Sequence, residues 1–196
     1  MSGPFGSSQW MYNAGGGFYD FEISNSVRIN QGDASFLSFT PSSAGNLRAW
    51  TWSGWLKRGN VPTSNNATFF SANNLENFRI VGSGAGAADV DTLNFNIYDG
   101  SATIANLDTL ARFRNPSSWY HFVIRWDVNN GTALNRFRLY VNGVQVTDFS
   151  EHNALINQNT DSITNSAVIH KLGAQHGSTA RDIDGYMAEI NFIDGT

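Results

Sequence analysis

The sequence predicts an all-β chain folded as a two-sheet antiparallel sandwich or jelly roll, and three observations carry that expectation. Short runs of alternating apolar and polar residues recur along most of the 196 residues, the period of strands with one face buried. Gly, Asn, Asp and Pro interrupt those runs, as in "PSSAG", "RGNVPTSNN", "YDGS", "RNPSS" and "VNNGT". The one stretch with helical character, Ala154–Asn159, reads better as loop. About a dozen short strands without helices make a sandwich.

Composition bounds the function. Hydrophobic residues make up 41%, enough for one core and against global disorder. Charged residues are only 14%, so the polar surface is built from Asn, Ser, Thr and Gly, which are poor helix formers. A net charge of −4 argues against a nucleic-acid partner. The absence of cysteine excludes disulfides and thiolate metal sites. "MSGPFGSSQWMY" has neither the basic start nor the apolar run of a signal peptide. No apolar run is long enough for a membrane span, so membrane insertion is not expected.

Residues 1–24 read as an N-terminal arm and residues 25–196 as the sandwich. The arm is Gly-rich yet carries Phe5, Trp10, Tyr12, Phe18, Tyr19 and Phe21. A flexible linker needs no such aromatics. Aromatics of this kind anchor interfaces, so the arm is expected to dock into a neighbouring subunit. Beyond it, "VRIN", "SFLSFT", "WTWSGWLK", "ATFFSA", "FRIVG", "TLNFNIYD", "WYHFVIRWD", "RFRLYVNG", "VQVTDF", "AVIHKLGA" and "GYMAEINFID" read as strands. Asn142-Gly143 in "LYVNGVQV" supplies the two positive-φ residues of a type I′ hairpin. "GSGAGAAD" lacks the Lys-Ser/Thr of a phosphate loop and reads as a turn.

Strand parity assigns faces. On "WTWSGWLK", Trp50, Trp52 and Leu56 point to the core, while Thr51, Ser53, Trp55 and Lys57 point out. On "WYHFVIRWD", Tyr120, Phe122, Ile124 and Trp126 go in, leaving His121, Val123 and Arg125 out. On "RFRLYV", Phe137, Leu139 and Val141 go in, and Arg136, Arg138 and Tyr140 go out. The outer set Trp55, His121, Arg125, Arg138 and Tyr140 fits a sugar, with rings for stacking and Arg forks for hydroxyls or anions. The alternative is that a loop covers Trp55 and the arginines pair with carboxylates. Arg112, Arg114, Arg125, Arg136 and Arg138 cluster in a stretch whose one acid is Asp127. They fit either an acidic glycan or subunit, or pairing with Asp182, Asp184, Glu189 and Asp194.

The ordered segments "SVRINQGDASFLSFTPSSAGNLRAWTWSGWLKRG", "PSSWYHFVIRWD", "RLYVNGVQV" and "DGYMAEINFIDG" resemble laminin G-like, concanavalin A-like jelly-roll domains, especially those in structural proteins of tailed bacteriophages. The resemblance implies two stacked sheets, one concave, with ligands at the concave face or rim. It also implies a possible rim calcium ion, for which Asp127 and Asp184 are the candidates. The histidines lack zinc spacing, and "DVNNG" departs from a calcium loop in its glycine position.

Catalytic relatives of this fold carry Glu-x-Asp-x-Glu on one strand. Here Asp182 and Asp184 share a parity, Glu189 does not, and Asn191 stands where a further acid belongs. No enzymatic activity is therefore expected. The sequence reads as a non-enzymatic virion surface protein of a tailed phage, a capsid or tail decoration or fibre component. It would be made in the host cytoplasm, form homo-oligomers with other virion proteins around it, and hold host-surface glycans. A cellular lectin-like module is the alternative, and a carbohydrate-active enzyme the next.

Overall fold

The computed structural model describes residues 23–60, 65–82, 90–151, 156–178 and 180–195. The aromatics proposed for the arm, Phe5, Trp10, Tyr12, Phe18 and Tyr19, lie outside the described residues. Among those described there are thirteen strands: β1 (Val27–Ile29), β2 (Leu37–Phe39), β3 (Ala49–Arg58), β4 (Ala67–Ala72), β5 (Glu76–Ile80), β6 (Thr92–Tyr98), β7 (Thr103–Arg112), β8 (Trp119–Asp127), β9 (Phe137–Val141), β10 (Val144–Val146), β11 (Phe149–Glu151), β12 (His170–Leu172) and β13 (Gly185–Asp194). They form a six-stranded sheet, β1-β13-β3-β8-β9-β10, and a seven-stranded sheet, β11-β7-β6-β5-β4-β12-β2. The only helical pieces among the described residues are single 3-10 turns at Gln31–Asp33 and Ala133–Asn135.

The strands at 67–72, 119–127 and 185–194 fall where the alternation places them. Asn142 and Gly143 take φ of 51° and 81° and pair Val141 with Val144, as the hairpin requires. Two strands were not expected: "VQVTDF", read as one strand, gives way to β10 in the six-stranded sheet and a separate β11 in the seven-stranded one, and β7 was not read at all. β7, "TIANLDTLAR", alternates correctly, but Ala, Asn and Asp are depleted in strands and mask it.

Parity holds in the core. Trp50, Trp52, Leu56, Phe122, Ile124, Trp126, Phe137 and Leu139 are buried, while Tyr120 and Val141 are only partly buried at its margin. They meet Phe69, Phe70, Phe78 and Phe95 of the other sheet. Ring centroids lie 5.5 Å apart for Trp52–Phe69, 5.9 Å for Trp50–Phe78, 6.1 Å for Phe69–Phe122 and 5.4 Å for Phe95–Phe137. Each large ring removes ~150–250 Å² from water, roughly 4–6 kcal/mol at ~25 cal/mol per Å². Gly54 sits on the inner side of β3 because a Cβ there would strike Ile190 and the Trp52 ring.

β4 contains a bulge between Thr68 and Phe70. It lets Phe69 and Phe70 both face the core while Thr68 and Ser71 both face out. Beside it, Glu76 is buried on the core side. One carboxyl oxygen accepts from the Thr164 amide and hydroxyl, both at 2.5 Å. Burial pushes this carboxyl up to about 8, against the downward pull of the Thr164 and Tyr98 hydrogen bonds. The Thr164 hydroxyl can donate or accept, so the contact survives protonation.

Two predictions follow from this packing. Trp52→Ala should cost about 3–5 kcal/mol in urea denaturation, whereas Trp55→Ala, on the half-exposed face, should cost at most about 1.5 kcal/mol. A comparable loss at both sites would refute the face assignment. Between an unfolded carboxyl near 4.5 and a folded one near 8, the native state of Glu76 holds a proton that the unfolded state has lost. The contribution of Glu76 to stability is therefore greatest below pH ~4.5 and falls as pH rises towards 8, by up to about 1.4 kcal/mol per unit. The thermal midpoint should drop from pH 5 to pH 8, and Glu76→Gln should flatten that slope.

Candidate functional site

The outer face of the six-stranded sheet gathers the residues that parity placed there. Trp55 is opposite His121, with ring centroids 4.9 Å apart. Both are partly buried, and burial pulls the His121 imidazole below the usual histidine range. Arg125 lies directly opposite Arg138. Like charges so placed repel, and each finds a local partner: Arg125 Nη2 is 2.7 Å from Asp127 Oδ2, and Arg138 Nη2 donates to Asn135 Oδ1 at 2.8 Å. Tyr140 is opposite Val123 and Gln145. Beside Lys57, which parity also placed outside, stand three residues the sequence reading left out, Arg28, Trp119 and Tyr186. Lys57 lies between Tyr186 and Trp119, and Arg28 sits 5.1 Å over the Tyr186 ring.

The other arginines turn to nearby groups rather than to the C-terminal acids. Arg112 donates to Val90 O at 2.9 Å and Arg114 to Asp91 Oδ2 at 3.1 Å, while Arg136 reaches Ile156 O at 2.5 Å. Of the acids, Asp184 pairs with Arg28, and Asp194 accepts from Asn46 N and Asn165 Nδ2. Asp127 and Asp184 do not share a metal site. Asp127 is opposite Ala49, and Asp184 precedes Gly185, which is opposite Arg58. The length of β3, roughly 30 Å at ~3.3 Å per residue, lies between them. Among the described residues no group of three His, Asp or Glu could hold a metal ion. Nor do Asp182 and Asp184 share a face. β13 begins only at Gly185, and Asp182 bridges Thr68 of the other sheet. Glu189 sits exposed in a bulge of β13 at φ 50°.

The seven-stranded sheet carries a second polar surface, which the sequence reading missed. Two rows of directly opposed residues cross its outer side. One runs Asp182, Thr68, Arg79, Asn94, Asp108. The other runs Ser38, Lys171, Ser71, Asn77, Asn96, Asn106. The turn after β12 folds against it: Ser71 Oγ donates to Ala174 O at 2.9 Å and accepts from His176 N at 3.3 Å. Asn94 Nδ2 donates to Asn106 Oδ1 at 2.9 Å and Asp108 Oδ2 at 3.0 Å. Burial and Arg181 lower the Arg79 guanidinium, while Asp108 raises it. Burial pushes the Asp182 carboxyl up, opposed by the Gln175 amide and Lys171.

These side chains are deeply set and incompletely bonded. Thr68 is 0% exposed, Asn94 and Asp182 2%, and Asn77 4%. Thr68 Oγ1, Asn77 Oδ1, Arg79 Nε, Asn94 Oδ1, His176 Nδ1 and Asp182 Oδ1 have no hydrogen-bond partner among the described residues. The remaining buried atoms in that condition are scattered, on Trp52, Arg58, Trp126 and Arg138. The alternation of Asn94 and Asn96 with Leu93, Phe95 and Ile97 in "TLNFNIYD" was the available signal, since Asn is rare inside strands.

Comparison with solved structures finds the same fold elsewhere. Domain 4 of AbnA, a GH43 extracellular arabinanase from Geobacillus stearothermophilus, matches at 17% identity and a TM-score of 0.56, over 90% of this chain and 74% of that one. The CBM40 of the Ruminococcus gnavus IT-sialidase matches at 12% identity and TM-score 0.55, over 89% of this chain and 92% of that one. Domains LG4-5 of the mouse laminin alpha1 chain match at 11% identity and TM-score 0.55, over 88% of this chain and 43% of that one. No curated protein matches in sequence. The sequence model described as the concanavalin A-like lectin/glucanases superfamily matches residues 30–196, and the chain belongs to that superfamily.

Proposed function

We propose that this chain is a non-catalytic carbohydrate-binding domain, that its ligand lies across the outer face of the seven-stranded sheet, and that it serves on the virion surface of a tailed phage. The observation that carries the reading is the concentration of deeply set, unpaired polar atoms on that one face. Two structural neighbours support it by what they hold: domain 4 of AbnA is in complex with arabinotriose, and the CBM40 is bound to alpha2,3 sialyllactose in a further structure at TM-score 0.52. On the six-stranded face, by contrast, Arg28, Arg125 and Arg138 have protein partners.

Acid placement supports the absence of catalysis. Asp182 and Asp108 end one row, four strand spacings apart. That is roughly 19 Å at ~4.8 Å per spacing, whereas glycosidase carboxyls stand ~5–9.5 Å apart. The reading requires no cofactor or metal. The resemblance of the ordered segments to phage structural proteins supports the virion setting, with homo-oligomeric neighbours as partners and the aromatic arm as anchor.

On a glycan array, Arg79→Ala and Asn96→Ala should each weaken binding at least ~10-fold, with the thermal midpoint little changed and Trp55→Ala without effect. A reducing-end assay should show no release. Loss on Trp55→Ala with the other two variants unaffected would move the site to the six-stranded face. Separately, a chain beginning at Ser26 should fold but fail to join a virion or oligomer. Its normal assembly would remove the arm's role.

A further inference from the structure

The two sheets do not end together on one side of the sandwich. Among the described residues β1 pairs only with β13 and β2 only with β12, so each is the last strand of its sheet. A Cβ on Gly173, just past β12, would strike Ile29 of β1. The end of β12 thus sits against β1, and β2 overhangs by one strand. Its register carries the inner face outward. Leu37 is opposite Leu172 and Phe39 opposite His170, and these are opposite Phe70 and Ala72 of β4, both buried in the core. Leu37 and Phe39 therefore point inward, yet remain 49% and 47% exposed. β2 has none of the charge, proline or bulge that protects a sheet edge. One further strand beside β1 would lie opposite β2 and cover both side chains.

The occupant is argued from where the described chain begins. Ile23 is half-buried, Ser24, Asn25 and Ser26 are exposed, and β1 starts at Val27. An exposed polar loop of three residues is a common hairpin connection. Residues 1–22 lie outside the described residues, but their last positions continue the sequence pattern: Tyr19, Phe21 and Ile23 alternate with Asp20 and Glu22. A hairpin across residues 24–26 sets Ile23 opposite Val27, Glu22 opposite Arg28 and Phe21 opposite Ile29. Val27 and Ile29 pack in the core, while Arg28 lies outside against Asp184 and Tyr186. Apolar residues thus meet apolar ones, and a carboxylate meets a guanidinium. A slip of one residue would put Phe21 opposite Arg28 and lose every match.

We infer that residues 19–22 dock on the free edge of β1 in the same chain, as a strand that covers Leu37 and Phe39. The short loop favours the same chain over a second copy, because it holds the segment beside β1 at high effective concentration. The covered edge is then closed to pairing with other chains, and Phe5, Trp10 and Tyr12 are the part of the arm left for anchoring.

The sequence has no cysteine, so the full chain carrying Glu22→Cys and Arg28→Cys reads the pairing directly. Opposed Cα atoms of an antiparallel pair stand ~4.5–5.5 Å apart, within disulfide reach. Oxidation in dilute solution should give an intrachain disulfide, identified by peptide mapping. A chain beginning at Gly17 should keep the thermal midpoint of the full chain. One beginning at Ser26 should still fold but melt ~5 °C or more lower, and Phe21→Ser in the full chain should reproduce that loss. Interchain disulfides in place of the intrachain one would assign the edge to a second copy and overturn the inference. A chain beginning at Ser26 that melts with the full chain would overturn it as well. Neither measurement reads assembly, so such a failure is distinct from a failure of the anchoring role.

Discussion

The structure depends on one aromatic layer. Trp50, Trp52, Phe122 and Trp126 of one sheet face Phe69, Phe70, Phe78 and Phe95 of the other with almost no exposure. Close packing allows no slip, because a one-residue shift of β3 would turn Trp50 and Trp52 to solvent and bring Thr51 and Ser53 inside. Inner residues thereby dictate outer ones. Trp55 faces outward because Trp52 and Leu56 cannot, and the same logic sets every row on the outer side of the seven-stranded sheet.

The bulges connect that layer to function. Without the extra residue in β4, Phe69 and Phe70 would take opposite faces, and one large ring would lie among polar side chains. With it, both rings are buried, Thr68 aligns with Arg79, and Ser71 aligns with Asn77. The β13 bulge has the same effect near Glu189: Ile190 packs against the core, and Phe192 stacks on Trp50 at 6.0 Å. Each bulge offsets a local irregularity against continued aromatic contact, and each falls where simple alternation misassigns faces.

That explains what could be read in advance. β3, β8 and β9 were legible because large rings alternate with small or charged residues, and the outward placement of Trp55 and His121 followed from parity, though not their pairing. β7 was not, since Asn106 and Asp108 suppress its strand character while drawing their stability from neighbours on β6. The polar face was missed for the related reason that asparagine in an alternating run reads as ordinary solvent-facing surface. The alternation in "TLNFNIYD" puts Asn94 and Asn96 on one side of a strand. It does not show that the strands stand side by side, so that these residues form rows across a sheet. The separation of Asp182 from Asp184 was likewise hidden, because it depends on the chain crossing between sheets before β13 begins.

The two outer faces then differ in a way that stability alone does not account for. On the six-stranded face, Arg125 is matched by Asp127, Arg28 by Asp184, and Arg138 Nη2 by Asn135, while Arg138 Nε has no partner among the described residues. On the other, six buried polar atoms remain unmatched among the described residues. A buried polar group that stays unpaired costs ~1–3 kcal/mol, a large fraction of the ~5–15 kcal/mol net stability of a whole domain. Apolar isosteres such as valine for Thr68 would remove part of that cost without disturbing the strands. A sequence under selection for folding alone would drift towards such replacements. The aromatic layer supplies the burial against which such groups are tolerated.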